Sequence, residues 1–173
     1  MYLAGMIAEP EKMAEEDFDR WIEGAYFYMI SDFIVAVTLA ETAIDFASRV
    51  SDKWIDSGEE LTMSAGWSCY EWLLGSRKDI EFDKEKLLSM LNRVRDTIHH
   101  QPNRTKYAMN NFVMTVGVSY LALHEEAKKI AQEIGAVQVH NGKKLCEAND
   151  ATEYIQNAID KGNIGFKRKH VRC

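Results

Sequence analysis

Hydrophobic residues recur at three- and four-residue steps along most of the chain. Between Glu15 and Ala25, for example, Phe18, Trp21 and Ile22 share one face of a predicted helix, and acidic residues fill its first turn, where the helix dipole stabilises them. The same spacing predicts an all-α chain with further helices over residues 33–40, 43–55, 59–74, 83–99, 103–118, 121–134 and 150–161.

Carboxylate and hydroxyl side chains stand at the predicted starts of several helices. Asp83 and Asp150 each precede an apolar helical stripe, and Glu153 gives the second of these starts a capping-box pattern. Either Ser31 or Asp32 is expected to cap the apolar helix that follows them.

One stretch near the C-terminus departs from the helical period. Residues 136–146 alternate apolar and polar side chains about the pair Asn141-Gly142, which predicts one small β-hairpin. No linker of low complexity divides the chain, so residues 1–173 are expected to form a single domain.

The predicted helices are expected to form antiparallel pairs. Second members would begin near Asp32, Leu61 and Arg104, each with a dense apolar face. Pairs that cannot bury such faces alone stack into an α-α superhelix with a concave surface, while an irregular helical bundle is the alternative that periodicity leaves open.

Composition and charge narrow the class of protein. The 173 residues are 46% hydrophobic and 28% charged, as in folded globular proteins, and no apolar run approaches the roughly 20 residues that span a bilayer. With no secretory signal and an odd number of widely spaced cysteines, the chain is expected to be cytoplasmic and free of a disulfide framework. Residues 1–90 carry 8 basic against 19 acidic side chains and residues 91–173 carry 13 against 8, so one face can still be positive.

Familiar catalytic and cofactor motifs are absent from the sequence. His99 and His100 are adjacent, so on a helix they diverge by about 100° and do not easily share a metal. His140, Cys146 and Cys173 fit no standard zinc spacing. We therefore expect neither a metal nor a cofactor.

Two clusters could carry chemistry. Asp32 follows a run of aromatic residues and is either a plain helix cap or a carboxylate at an aromatic-lined surface. Arg104 and Lys106 lie in the first turns of a predicted helix, where cations and free N–H groups suit a phosphate, although solvated charges are the alternative. Asn110 and Asn111 need hydrogen-bond partners in the core or from a ligand.

The C-terminal tail and the tryptophans offer further candidates. Lys167, Arg168 and Lys169 belong either to a solvated terminus or to a phosphate-binding segment. Trp67 is expected either in the core or at a groove, where it could contact a sugar or base.

Residues 26–35, residues 103–117 and the region from residue 134 to the basic end together resemble the HEAT-like-repeat DNA alkylation repair family, which includes the AlkD-type alkylpurine glycosylases. The resemblance covers essentially the whole chain. It implies a superhelix of helix pairs with a basic groove for duplex DNA, and hydrolytic release of N3- or N7-alkylated purines without a cofactor.

The resemblance also assigns roles to individual residues. The family's catalytic aspartate falls on Asp32, which would stabilise an oxocarbenium-like sugar, and an aromatic groove residue falls on Tyr28. An arginine and a second groove tryptophan of the glycosylases match Ser64 and Asn111 here, and Arg104 is the candidate replacement for the lost cation.

These assignments give a set of site predictions. Asp32 would be catalytic, and Tyr28, Trp67 and Asn111 would bind substrate. Phosphates would be bound by Arg104, Lys106, Lys167, Arg168 and Lys169. The alternative is a non-catalytic helical-repeat scaffold that binds nucleic acid or protein. Relatives usually carry a further helical region before this chain's first residue, so we expect an N-terminally truncated form with exposed apolar surface that favours homo-oligomers.

Overall fold

The computed structural model describes residues 2–141 and 144–171. Its helices are α1 (Tyr2–Ile7), α2 (Glu15–Glu23), α3 (Tyr28–Ile30), α4 (Ala36–Ala40), α5 (Ile44–Ile55), α6 (Glu60–Leu74), α7 (Lys84–Thr97), α8 (Asn103–Ser119), α9 (His124–Ile134) and α10 (Ala151–Asp160). Short 3₁₀ turns lie at Pro10–Lys12, Asp79–Glu81, Ile98–His100 and Leu121–Leu123. The helices predicted between residues 43 and 161 are confirmed, with ends that differ by at most three residues.

Two of the predicted helix caps are confirmed. The Oδ1 atom of Asp83 accepts hydrogen bonds from the backbone N–H groups of Glu85 and Lys86, at 2.9 and 3.2 Å. At the start of α10, Asp150 accepts from the N–H of Glu153 at 3.0 Å. Each carboxylate thereby satisfies N–H groups that have no partner within the helix.

The predicted cap at Ser31 or Asp32 is wrong. The helical run begins earlier, at Tyr28, and a π-helical segment over Ser31–Val35 joins α3 to α4. Asp32 lies inside this segment and caps no backbone N–H, because side chains of neighbouring helices bind its carboxylate. π turns within helices often accompany functional positions.

The helices pack in pairs, and the second helix of each pair contacts the next second helix. α5 pairs with α6, α7 packs on α8, and α9 packs on α10. α6 also contacts α4 and α8, while α8 also contacts α10. We call α4, α6, α8 and α10, with the π-helical segment, the inner layer. The all-α superhelix of stacked pairs is confirmed.

Two hydrophobic clusters form the core. One lies among α2, α4, α5 and α6 and contains Phe18 and Trp54; the other spans α6 to α10 and contains Phe112. Close approach of α10 to α8 requires a glycine, since a Cβ at Gly117 would lie 2.5 Å from the Cδ1 of Ile155. This contact fixes where α10 stands relative to the inner layer.

The predicted hairpin is confirmed in its strands. β1 (Gln138–Asn141) pairs antiparallel with β2 (Lys144–Glu147), and its turn, with Gly142, lies outside the described residues. The Asn103 side chain at the start of α8 donates to the carbonyl of His140 at 2.9 Å and accepts from its N–H at 3.0 Å. The hairpin is therefore fixed to the inner layer through Asn103.

Three further expectations from the sequence concern membrane-spanning helices, disulfides and metal ligands. Over residues 2–141 and 144–171, no helix is long and apolar enough to cross a membrane. Cys69 and Cys146 are free thiols, and Cys173 lies outside the described residues. In the same ranges, no group of three or more histidine, cysteine, aspartate or glutamate side chains could hold a metal ion.

Candidate functional site

Asp32 lies at the centre of a buried polar cluster in the inner layer and is only 1% exposed. Its Oδ2 atom accepts from Arg104 Nε at 2.7 Å, and Ser64 Oγ is 2.9 Å from both carboxylate oxygens. Ser31 Oγ donates to Oδ1 at 2.7 Å. Both carboxylate oxygens are thus occupied by groups of the protein itself, from the π-helical segment, α6 and α8.

Arg104 is held on several sides. Its guanidinium lies over the ring of Tyr28, with Cζ 4.2 Å from the ring centroid, and 5.3 Å from the centroid of Tyr107. Its backbone N–H donates to the Glu60 carboxylate at 2.7 Å, which fixes the first turn of α8 against α6. A planar cation stacked on aromatic rings and bonded to a carboxylate is a geometry that arginine, unlike lysine, supports.

The electrostatics of Asp32 reflect burial and pairing together. Burial is the largest influence and raises the pKa of the Asp32 carboxyl, because the low-dielectric surroundings disfavour its charge. The positive charge of Arg104 opposes this shift, as do hydrogen bonds from Ser31, Arg104 and Ser64. The arrangement suits a carboxylate that joins three elements, and removal of either charged partner would leave the other buried and unpaired.

A second carboxylate, Glu71, lies near the end of α6. Burial raises the pKa of its carboxyl to about 7, the nearby charge of Asp32 adds to the rise, and Arg168 and a hydrogen bond with Asn111 oppose it. The site residues predicted from the sequence did not include Glu71. Its signal is available, because Glu71 is the one charged side chain between Leu61 and Leu74 in a helix of apolar and small residues.

Trp72 connects the backbone of the π-helical segment to the C-terminal segment. Its indole N–H donates to the backbone carbonyl of Asp32 at 2.9 Å. Arg168 lies over the indole ring, 4.4 Å from Cζ to centroid, and the exposed ring of Phe33 meets it edge-on at 6.0 Å. An indole held between a cation and an aromatic ring gives the inner layer a rigid, partly exposed surface.

The C-terminal segment packs against the end of α6, but its three cations have different surroundings. Lys167 forms an ion pair with Asp79 at 2.8 Å and donates to a backbone carbonyl of α6 at 2.7 Å. Arg168 reaches Trp72, while Lys169 is exposed. Lys167 therefore attaches the C-terminal segment to α6. Arg168 is the cation of this segment that lies over Trp72 and acts on Glu71.

The chain is similar in sequence to two proteins of Listeria species. No family model matches the chain. An uncharacterized protein of Listeria innocua is 31% identical over 163 residues, which is 94% of this chain and 69% of that protein. An uncharacterized protein of Listeria monocytogenes is 30% identical over 161 residues, 93% of this chain and 68% of its own length.

A solved structure is far more similar. It is described as "A new family of proteins related to the HEAT-like repeat DNA glycosylases with affinity for branched DNA structures". The two chains are 60% identical with a TM-score of 0.95, over 100% of this chain and 73% of that one. This chain belongs to that family of glycosylase-related HEAT-like repeat proteins.

In this glycosylase-related HEAT-like repeat protein, the two positions at which the resemblance predicted departures lie inside the polar cluster. Ser64, at the position matched to an arginine, donates its hydroxyl proton to Asp32. Asn111, matched to a tryptophan, forms a hydrogen bond with Glu71. The cation that accompanies Asp32 comes instead from Arg104 on α8.

The assignment of Trp67 to a substrate-binding surface is wrong. Its side chain is 2% exposed and packs edge-on to Phe112, with ring centroids 5.2 Å apart. Trp67 belongs to the core because it faces α8 from the buried side of α6, and Trp72 takes the partly exposed position. Asn110 is also internal, since its amide donates to the carbonyl of Asn149 at 2.8 Å.

Lys106 lies apart from the cluster. Its ammonium group donates to the backbone carbonyl of Gln138 at 3.1 Å, so it faces the hairpin rather than Asp32. Of the predicted site residues, the glycosylase-related fold thus brings together Asp32, Tyr28, Asn111, Arg104 and Arg168. It leaves Lys106, Lys167 and Lys169 at the periphery of the cluster.

Proposed function

We propose that this protein binds branched DNA through its inner layer and C-terminal segment, without hydrolysing the glycosidic bond. The observation that carries the proposal is the Asp32–Arg104 pair, with 2.7 Å between Oδ2 and Nε. Members of the family that release a base need a carboxylate free to face the sugar. Here that carboxylate is neutralised and covered by the protein's own arginine.

The electrostatics argue against catalysis. Stabilisation of an oxocarbenium-like sugar requires negative charge directed at the place where positive charge develops. Asp32 is 1% exposed, and the guanidinium beside it would repel such a cation. An arginine at this position suits the permanent negative charge of a phosphate better.

The surroundings of the cluster support binding of nucleic acid. Arg104 and Arg168 stack on Tyr28 and Trp72, so positive charge and aromatic surface occur together. Cations that meet phosphates and rings that meet bases are the two components of binding to unpaired strands. The related solved protein is described as having affinity for branched DNA structures.

Base excision is the second candidate, and the position of Asp32 favours it. The resemblance to the glycosylases assigns the catalytic carboxylate to this residue. For Asp32 to act on the sugar of an N3- or N7-alkylated purine, Arg104 has to leave it when DNA binds. Binding of DNA alone would not distinguish the two candidates, whereas release of a modified base would.

Self-association stays a separate proposal. Leu3, Met6 and Ile7 on α1 are exposed apolar side chains, and apolar surface of this kind is typical of contacts between proteins. Sedimentation of the wild-type chain and of Met6→Lys over a range of concentrations tests it. Loss of a concentration-dependent dimer in the variant is the expected result, and a wild-type monomer at all concentrations contradicts it.

Titration of labelled four-way junctions and linear duplexes of equal length tests the proposed function. We expect the junction to bind at least about tenfold more tightly, with a salt dependence set by the phosphates contacted. Lys169→Ala should weaken binding and reduce the salt slope by about one, while Lys129→Ala, an equal loss of charge on α9, should not. Equal affinity of the wild-type protein for both DNAs contradicts the proposal.

A further inference from the structure

An open cavity of about 600 Å³ lies beside the polar cluster, between the ends of α6 and α8, the face of α10 and the C-terminal segment. Its volume is within the range of roughly 300–1,000 Å³ that is typical of small-molecule sites. The cavity borders Glu71 and Arg168, and Glu71 interacts electrostatically with Asp32. Of its lining residues, Arg168 alone was among the site residues predicted from the sequence.

The lining combines three kinds of group. Tyr154 and Phe166 supply aromatic rings and are 50% and 65% exposed. Glu71, which is half-buried and has a hydrogen bond with Asn111, supplies an acceptor. Lys161 and Arg168 supply positive charge. A flat ring with polar edges that carries a phosphate is the ligand class that uses all three.

The exposure of Phe166 is imposed by the backbone on both sides of it. The backbone N–H of Gly165 donates to the carbonyl of Val118 at 2.7 Å, and the backbone N–H of Arg168 donates to the carbonyl of Gly75 at 2.8 Å. Gly165 has a φ of +79°, which a residue with a Cβ rarely adopts. The segment is therefore built to hold the phenyl ring at the cavity rather than to bury it.

Other ligands use the lining less well. A free anion would meet the lysine and arginine but would be opposed by the carboxylate of Glu71. A base within an intact duplex has its edge paired and its faces stacked, so it offers neither to the cavity. An unpaired base has both available, and its N–H groups can donate to a carboxylate.

We propose that an unpaired nucleotide at the branch point of DNA enters this cavity, where its base stacks on Phe166 and its edge donates a hydrogen bond to Glu71. Lys161 and Arg168 are the cations closest to its phosphate. This inference rests on the proposed binding of branched DNA and adds the element of the branch that is recognised. It requires no covalent step.

The test compares two junctions that differ only in one unpaired branch-point nucleotide, which is either intact or abasic. Each is titrated with the full chain and with Phe166→Ala. Loss of a stacked base is expected to weaken wild-type binding about tenfold. In Phe166→Ala the same loss should cost less than about twofold, because the ring that stacks on the base is already absent. Tyr26→Ala, which removes an exposed aromatic ring that does not line the cavity, should behave as wild type.

The outcomes separate this inference from the proposed function. A wild-type protein that prefers junctions but does not distinguish the intact from the abasic form overturns the inference alone. An abasic penalty that is equal in wild type and Phe166→Ala also overturns it. A wild-type protein without preference for junctions contradicts the proposed function itself.

A second variant tests the hydrogen bond to the base edge. Glu71→Gln keeps the size of the side chain but replaces one acceptor oxygen by an NH2 donor, so the abasic penalty should decrease about threefold or more. Glu126→Gln removes an equal charge from the exposed face of α9 and should leave the penalty unchanged. An unchanged penalty in Glu71→Gln overturns the assignment of Glu71.

Discussion

Arg104 donates its Nε–H to the Oδ2 atom of Asp32 across 72 residues of sequence, and this bond joins α8 to the π-helical segment. The guanidinium simultaneously covers the ring of Tyr28, with 4.2 Å from Cζ to the ring centroid. The residue that the glycosylase resemblance assigns to catalysis is therefore part of a buried ion pair. The contribution of this ion pair to stability and the activity of Asp32 towards a methylated base can both be measured.

Asp32→Asn should lower the free energy of unfolding by about 3 kcal/mol, because it leaves the partly buried Arg104 without its counter-ion. Denaturant unfolding at pH 7.5 measures this. Asp56→Asn, which breaks the exposed pair between Asp56 and Arg93, should cost less than about 1 kcal/mol. Adding Arg104→Met to Asp32→Asn should restore part of the loss. Similar small effects of both single variants would contradict the structural importance of the pair.

Glu71 gives a pH dependence of stability with a definite sign. Its pKa is raised from 4.5 to about 7 in the folded state. Below about pH 4.5 the carboxyl is protonated in both the folded and the unfolded state, so its ionisation does not change the free energy of unfolding. As the pH rises from 4.5 towards 7 the unfolded state releases its proton first, and wild-type stability should fall relative to Glu71→Gln by about 3 kcal/mol. Above pH 7 the difference should be constant. Thermal unfolding of both proteins between pH 4 and 8 measures it.

Four groups, from the π-helical segment, α8 and the C-terminal segment, act on the pKa of Glu71. Asp32 raises its pKa, whereas Arg168, Asn111 and Arg104 lower it. Glu126→Gln, which removes an exposed carboxylate of α9, is the control for a loss of one negative charge. A flat difference between wild type and Glu71→Gln from pH 4 to 8 would show that the Glu71 carboxyl is solvated.

Gly117→Ala should destabilise the fold by about 1–3 kcal/mol, because the new Cβ would lie 2.5 Å from Cδ1 and 2.9 Å from Cγ1 of Ile155. α10 would have to move away from α8, and the cavity between them would change shape. Combining Gly117→Ala with Ile155→Ala, which removes both atoms, should cost less than the sum of the single changes. Strict additivity in denaturant unfolding would show that the two residues do not meet.

Local sequence patterns predict much of this fold. The period of apolar residues gives the helices, Asp83 and Asp150 give two of their starts, and the alternation around Asn141 gives the strands of the hairpin. These features depend on neighbours within a few positions of the chain. The π-helical segment was missed because the orientation of Asp32 depends on partners in α6 and α8, which no local pattern contains.

The sequence predicted a surface role for Trp67, whereas the structure partly exposes Trp72 instead, and the geometry of α6 explains the difference. The two residues are five positions apart in α6, so their side chains point about 140° away from each other, and only one can face the core of α8. α6 is apolar or small over most of its circumference, so periodicity does not say which one. Glu71, beside Trp72, was the informative signal, because an isolated charge marks the face that meets polar groups.

The most direct test of whether the site binds DNA without excising a base is the release of 7-methylguanine from methylated DNA. It is measured with the same preparation that binds junctions. We predict that wild type and Asp32→Asn both release no more base than buffer, while wild type binds the junction. Release by the wild-type protein that is lost in Asp32→Asn would contradict this account and establish that Arg104 leaves Asp32 when DNA binds.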